Sequence, residues 1–223
     1  MKIGLSLTEE NYLKAIYHIG EQENGEVSTN AIAESMNTKP ATVSDMIKRL
    51  SRKKVISYEK YRGVSLTSRG NEIALQIIRK HRLWEVFLVE KLQFNWDEVH
   101  EIAEQLEHIK SPLLVERLDA FLEHPKVDPH GDPIPDKHGE FQVGPTILLS
   151  ELEVGDEGVL VAVSDSDPRL LQYMDKIKLE LGTKISVSDR IEFDGSLEIA
   201  TNENLSLFLS ETIAKQLTIR KLS

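Results

Sequence analysis

The chain has 223 residues, a net charge of −10 and no cysteine. Its length allows one to two domains with buried cores, and the lack of cysteine excludes a disulfide framework and any thiolate metal site. It shows no signal-peptide core and no run of about 18 apolar residues, so a cytoplasmic protein with no membrane partner is expected.

Thr8 is placed to cap a first helix, with Asn11 at its third position and Tyr12, Ile16 and Ile19 at helical spacing as far as Gly20. A second short helix is expected over 27–36, capped by Ser28 or Thr29, with Ile32, Ala33 and Met36 facing inward. After the turn Asn37-Thr38-Lys39, Pro40 suits the first turn of a third helix, where its missing N–H has no partner to lose. That helix runs to about Lys53 and buries Val43, Ile47 and Leu50. Two β-branched runs, 55–59 and 64–67, then flank Lys60-Tyr61-Arg62-Gly63, a hairpin signal. Helix, turn, helix and hairpin make a winged helix-turn-helix.

Residues 39–69 hold nine lysines and arginines against two acids, Asp45 and Glu59, a local excess of seven positive charges on an acidic protein. Charge alone fits a solvated helix face equally well; with the winged pattern it points to DNA phosphate. The first residues of a recognition helix reach base edges, here Ala41, Thr42, Ser44 and Asp45. Lys39, Lys48, Arg49 and the wing's Lys60, Tyr61 and Arg62 suit phosphate contact, which sets register without reading sequence.

Further helices are expected over 68–92, 95–110 and 112–123. Their apolar residues, Leu83, Trp84, Val86, Phe87, Leu88, Leu106, Leu113, Leu114 and Leu118, exceed one core stripe. Either all are monomer core, or some form a self-association surface. A homodimer on an inverted-repeat operator is the expected arrangement, because a two-fold protein matches two half-sites. Within the stretch 96–109, His100, Glu104 and His108 fall at i, i+4 and i+8, beside Glu107, and His81 and Glu85 form a second i, i+4 pair. Residues four apart share a helix face. Each taken singly reads as a surface or packed side chain; together they form a metal-ligand layout. Nitrogen and oxygen donors without thiolate favour Mn²⁺ or Fe²⁺.

The segment 124–144 carries four prolines and three glycines and reads as an irregular linker. Beyond it, short β-like runs at 159–163, 184–187, 196–200 and 217–220 suggest a small five-stranded barrel. No internal repeat is evident.

The motifs TEENYLKAIY (8–17), NAIAESMNTKPATVSDMIKRL (30–50), YEKYRGVSLTSRG (58–70), RKHRLWEVFL (79–88), VHEIAEQLEHI (99–109) and DPHGDPIP (128–135) resemble, in order and spacing, the diphtheria-toxin-repressor and manganese-transport-regulator family of metal-dependent bacterial repressors. The resemblance covers at least residues 5–140, and the tail from about 145 looks like the SH3-like, FeoA-like domain of the longer members. It implies a mainly α protein with a small β domain. The winged helix-turn-helix would span 1–70, a helical metal-binding and dimerisation domain 71–140, a linker 141–150 and an SH3-like β-barrel 151–223.

The resemblance also implies a primary, activating metal site at Asn11, Glu104, Glu107 and His108, and an ancillary site at His81, Glu85 and His100. Asp165, Asp167 and Gln172 are candidates for a further ancillary ligand. Asn11 departs from the methionine of iron-type members and the aspartate of manganese-type members, whereas Glu104 matches the manganese type. Mn²⁺ is therefore favoured, with Fe²⁺ next. Lys14 stands where short manganese regulators carry a carboxylate, which argues for two separated sites. The function implied is a metal-activated DNA-binding regulator, a repressor of metal-ion uptake genes and not an enzyme. A metal-independent winged-helix regulator and a His/Glu metalloenzyme are the alternatives, although no nucleophile elbow, P-loop or HExxH motif supports the latter.

Overall fold

A computed structural model describes residues 4–22, 26–59, 63–164, 167–202 and 205–222. The chain divides into two compact units: residues 1–81, 105–112 and 135–140 form the first, and residues 82–104, 113–134 and 141–223 the second.

The first unit opens with α1 (Leu7–Gln22), α2 (Thr29–Ser35) and α3 (Pro40–Arg52). Its sheet is the antiparallel hairpin of β1 (Ile56–Glu59) and β2 (Gly63–Leu66), in the register Ile56↔Leu66. The α1 cap is Ser6, not Thr8. Ser6 N–H donates to Glu9 Oε2 at 2.8 Å and Ser6 Oγ accepts from Glu9 N–H at 3.3 Å, a reciprocal capping box that starts the helix two residues earlier. Ser28 caps α2 by accepting from Ala31 N–H. Pro40 sits in the first turn of α3, which buries Val43, Met46, Ile47 and Leu50. These four pack with Leu13, Ile16, Ile32, Val55 and Val64 into one apolar core. Ala41, Thr42, Ser44, Asp45, Lys48 and Arg49 are left on the exposed face of α3. Val27 exchanges two backbone hydrogen bonds with Val64, tying the start of α2 to the wing.

The long α4 (Ser68–Leu92) contributes to both units. The helix expected over 95–110 is much shorter: α5 spans His100–Leu106. Asn95 to Glu98 form a turn, with Asn95 N–H donating to Glu98 Oε2, and Trp96 packs against the apolar core of the second unit's sheet. Glu107 and His108 fall in the turn after α5, where Ile109 N–H bonds back to Leu106 O. Pro112, at the start of α6 (Pro112–Phe121), disfavours helical geometry at Ser111. His100, Glu104 and His108 therefore do not form one continuous helical stripe.

The second unit packs Leu83, Val86, Leu118, Leu122 and Ile134 into one cluster. Its sheet has six antiparallel strands rather than five. These are β3 (Ile147–Leu148), β4 (Glu157–Val163), β5 (Lys184–Arg190), β6 (Leu197–Thr201), β7 (Ser206–Leu209) and β8 (Leu217–Lys221), in the order β3-β8-β4-β5-β6-β7. A helix absent from the sequence reading, α7 (Pro168–Ile177), buries Leu171 and Met174 against Leu160, Ile185, Ile199 and Ile219. A single turn, α8 (Glu211–Ala214), precedes β8.

The 124–144 segment contains no helix or strand, but it is not a featureless linker. Asp128 Oδ1 accepts from His130 N–H and Asp132 N–H, and Gly131 N–H donates to Asp128 O. Eight residues on, Asp136 Oδ1 accepts from His138 N–H and Glu140 N–H, and Gly139 N–H donates to Asp136 O. D-x-H-G-[DE] thus occurs twice, as DPHGD and DKHGE, with one hydrogen-bond pattern, a repeat too short for the sequence reading to register. Both glycines have positive φ, +90° and +85°, a conformation that costs glycine little.

Candidate metal centre

In the first unit, α1 presents Glu10, Asn11 and, one turn later, Lys14. The turn after α5 presents Glu107 and His108, and α4 presents His81. Glu107 is fully buried. Its Oε2 accepts from Lys14 Nζ at 2.8 Å and from His81 Nδ1 at 2.6 Å. Burial by itself would raise the Glu107 carboxyl, but His81 and Lys14 outweigh it and hold the group below the ordinary carboxylate range. His108 Nδ1 lies 2.7 Å from Glu10 Oε2, which leaves Nε2 as the nitrogen facing Glu107 Oε1, at 3.7 Å.

Two oxygens of this group, Asn11 Oδ1 and Glu107 Oε1, are buried and accept no hydrogen bond. An unpartnered buried acceptor costs roughly 1–3 kcal/mol. An amide oxygen, a carboxylate oxygen and an imidazole nitrogen are donors suited to a hard or borderline divalent cation, so the residues present fit a metal ion. The sequence-expected primary ligands Asn11, Glu107 and His108 belong to this group. His81, expected in the ancillary set, has its Nδ1 on Glu107.

In the second unit, Glu85, Asp128 and His130 are all buried, and they offer ligand atoms within 4.8 Å of one another. His130 Nδ1 stands 3.8 Å from Glu85 Oε2 and 3.9 Å from Asp128 Oδ1, without a hydrogen bond. Its other nitrogen, Nε2, is fixed at 2.8 Å from the carbonyl of Trp96, whose ring stacks on the imidazole with centroids 6.0 Å apart. That carbonyl can only accept, so Nε2 carries the proton and Nδ1 is turned to the carboxylates. Burial and the Asp132 and Glu85 carboxylates push Asp128 well up, although Arg82 and His130 oppose them. Crowded buried carboxylates are the electrostatic condition that a divalent cation relieves.

His100 Nδ1 lies 3.7 Å from Glu85 Oε1, and its Nε2 lies 3.7 Å from Glu104 Oε1. His81 precedes Glu85 by one turn of α4. Asp128 and His130 were missed by sequence reasoning: they are 43 and 45 residues beyond Glu85, in a segment whose prolines disguise an ordered turn. The D-x-H spacing was the one available signal. Asp167 caps α7 and pairs with Arg169, and Gln172 donates to Asp97 Oδ2 at 2.8 Å. Asp165 lies outside the described residues.

On α3, Lys48 pairs with Asp45 at 3.0 Å and Ser44 Oγ donates to Pro40 O. Beside the helix lies a surface cavity of about 310 Å³ whose lining includes Thr29, Ser44, Lys48, Ser51, Arg52 and Tyr58. Hydroxyls and cations around one concavity are groups that take phosphate oxygens. Lys39 is exposed at the start of α3, and Lys60, Tyr61 and Arg62 lie outside the described residues.

Comparison with known proteins matches three stretches of the chain to known domains. Residues 4–64 match the N-terminal DNA-binding domain of iron-dependent repressors. Residues 67–136 match their metal-binding and dimerisation domain, and residues 147–221 match the FeoA domain. The iron-dependent repressor IdeR of Mycobacterium tuberculosis is 34% identical over 69% of this chain and 70% of its own. An uncharacterised helix-turn-helix-type transcriptional regulator of Methanocaldococcus jannaschii is 38% identical over 53% of this chain and 95% of its own. A solved manganese-dependent transcriptional repressor in complex with manganese superposes with a TM-score of 0.89, at 36% identity over 96% of this chain and all of that one.

A winged DNA-binding domain joined to carboxylate–imidazole clusters and a dimerisation domain defines a metal-dependent transcriptional repressor. The chain belongs to the diphtheria-toxin-repressor and manganese-transport-regulator family. Among the described residues, no helix is long and apolar enough to cross a membrane.

Proposed function

We propose that this repressor is activated by Mn²⁺, with Fe²⁺ the next-best ion, and that it binds as a homodimer to an inverted-repeat operator controlling metal-ion uptake genes in the cytoplasm. Its role is binding rather than catalysis. The observation that carries the reading is the pair of buried, unsatisfied oxygens, Asn11 Oδ1 and Glu107 Oε1.

Asn11, Glu107 and His108 would hold the activating ion, with Glu104 as the further ligand that the family resemblance implies. Glu85, Asp128 and His130, with His100 and His81, would hold an ancillary one. A bound divalent ion supplies positive charge and a fixed cross-link between ligands from separate segments. The chain's own residues do the rest. Asn11 places its unpaired amide oxygen beside Glu107 and His108 for the ion, Glu10 keeps His108 in the tautomer that presents Nε2, and Trp96 O does the same for His130 Nδ1. The relatives include both iron- and manganese-dependent repressors. The hard donor set without sulfur supports manganese.

The test is selection of binding sites from random DNA at fixed salt, in Mn²⁺, anaerobic Fe²⁺, Zn²⁺ or chelator. Enrichment of an inverted repeat only with metal is expected, with Mn²⁺ effective at the lowest free concentration. Equal enrichment in chelator would remove metal from the function. Glu107→Ala with His108→Ala is expected to abolish the metal response.

A further inference from the structure

We infer that Glu9 is a positioning residue that connects the primary metal centre to the recognition helix α3. The inference rests on the metal-activated reading above. Glu9 is 1% exposed, unusual for a residue whose local task, completing a capping box with Ser6, an exposed glutamate performs equally well. Its Oε2 accepts from Lys53 Nζ at 2.8 Å and its Oε1 lies 3.5 Å from Arg49 Nη2. Lys53 Nζ also donates to Gly4 O at 2.9 Å. The start of α1 is thereby fastened to the C-terminal end of α3.

The neighbouring residues point elsewhere. Successive helical side chains are rotated by about 100°. Glu10 reaches His108 Nδ1 at 2.7 Å and lies 3.8 Å from Lys110 Nζ, which in turn donates to Leu5 O at 2.8 Å. Asn11 carries the unsatisfied oxygen of the primary centre. Three consecutive residues of one helical turn thus engage the recognition helix, the centre's histidine and the centre itself. A buried carboxylate needs paired cations to be tolerated. The cations paired with Glu9 are Arg49 of α3 and Lys53 at its C-cap; Oε1 is left without a hydrogen bond, and Arg49 is on the face proposed to contact DNA. Glu9 therefore sets where the Arg49 and Lys53 charges sit, and it carries any ordering of the first turn of α1 into α3.

The test measures operator affinity of the full chain in saturating Mn²⁺ and in chelator, and Mn²⁺ affinity without DNA, for wild type and three variants. Glu9→Gln is expected to keep Mn²⁺ affinity within about twofold, because Glu9 contacts no ligand, and to reduce the metal-induced gain in DNA affinity at least tenfold. Its metal-free DNA binding becomes more salt-sensitive, since cations released from Glu9 add phosphate contacts. Lys53→Met, which removes the partner instead, is expected to compress the same ratio. Ser6→Ala, which breaks only the capping bond, is expected to retain it. A wild-type ratio in Glu9→Gln or Lys53→Met overturns the inference. So does equal compression in Ser6→Ala, or a tenfold loss of Mn²⁺ affinity in Glu9→Gln. A wild-type protein indifferent to Mn²⁺ overturns the metal reading itself, and the inference with it.

Discussion

His130 is fully buried, with one nitrogen on a backbone carbonyl and the other facing two carboxylates. Burial alone would lower its pKa, but Glu85 and Asp128, with the Trp96 carbonyl, outweigh it and raise the value from 6.5 to about 9. A histidine whose folded pKa exceeds its unfolded one stabilises the fold fully below the unfolded value, and loses that contribution as pH rises through the folded value. The Tm of the metal-free protein in chelator should therefore decline between pH 6.5 and about 9, beyond any global trend, and His130→Asn should flatten that decline. Superimposable profiles for the two proteins would show that the Glu85–Asp128–His130 contacts do not form. Glu107 is the opposite case, a buried carboxylate kept ionised by Lys14 and His81.

The winged helix-turn-helix was legible at the scale of the element. Val43, Ile47 and Leu50 recur at helical spacing, Pro40 marks the helix start, and Gly63 closes a hairpin. Helix α7 was not legible: its ten residues lie among short β-like runs, and a Pro-started, Asp-capped turn reads as loop until Leu171 and Met174 are seen to fill the sheet's core. Strands β3 and β7 are two and four residues long, too short for alternation to register. The expected 95–110 helix failed because spacing says nothing of competing partners. Trp96 leaves for the sheet core and His130, while Glu107 and His108 are held by residues of α1 and α4. His81 and Glu85, four apart on α4, advertise themselves by spacing, whereas Asn11 was given only by the family resemblance. The rest, Asp128 and His130, depended on a turn whose meaning lies in what it packs against. At Gly131, where φ is +90°, an added Cβ would lie 1.8 Å from Val161 O. Gly131→Ala should destabilise the protein by about 2–4 kcal/mol, seen as a lower urea midpoint. An unchanged midpoint would mean that the turn does not dock on β4.

On the proposed reading the whole molecule, as a homodimer, places two recognition helices on one operator. Leu113 and Leu114 are 57% and 39% exposed on α6, and Phe121 and Leu92 are also exposed, while Leu118 and Leu122 of the same segment pack inward. Such an apolar face suits a second copy of the chain, in keeping with the matched dimerisation domain. Leu113→Asp with Leu114→Asp should sediment as a folded monomer and lose roughly 100-fold or more in operator affinity, because two linked half-site contacts become independent. A dimer that survives both charges would move the interface elsewhere.

The turn at 128–132 has one more consequence. Val163 N–H of β4 donates to His130 O at 2.8 Å, and Trp96 Nε1 donates to Asp175 of α7. The sheet domain is thus joined to the turns at 96 and 130 by one backbone and one side-chain hydrogen bond, not only through the covalent chain. In hydrodynamic terms the sheet domain is no bead on a tether. It is expected to tumble with the C-terminal half of α4 and with α6 under one rotational correlation time, measurable by relaxation of backbone amides, and to add to the rotational drag of that unit as part of a single particle.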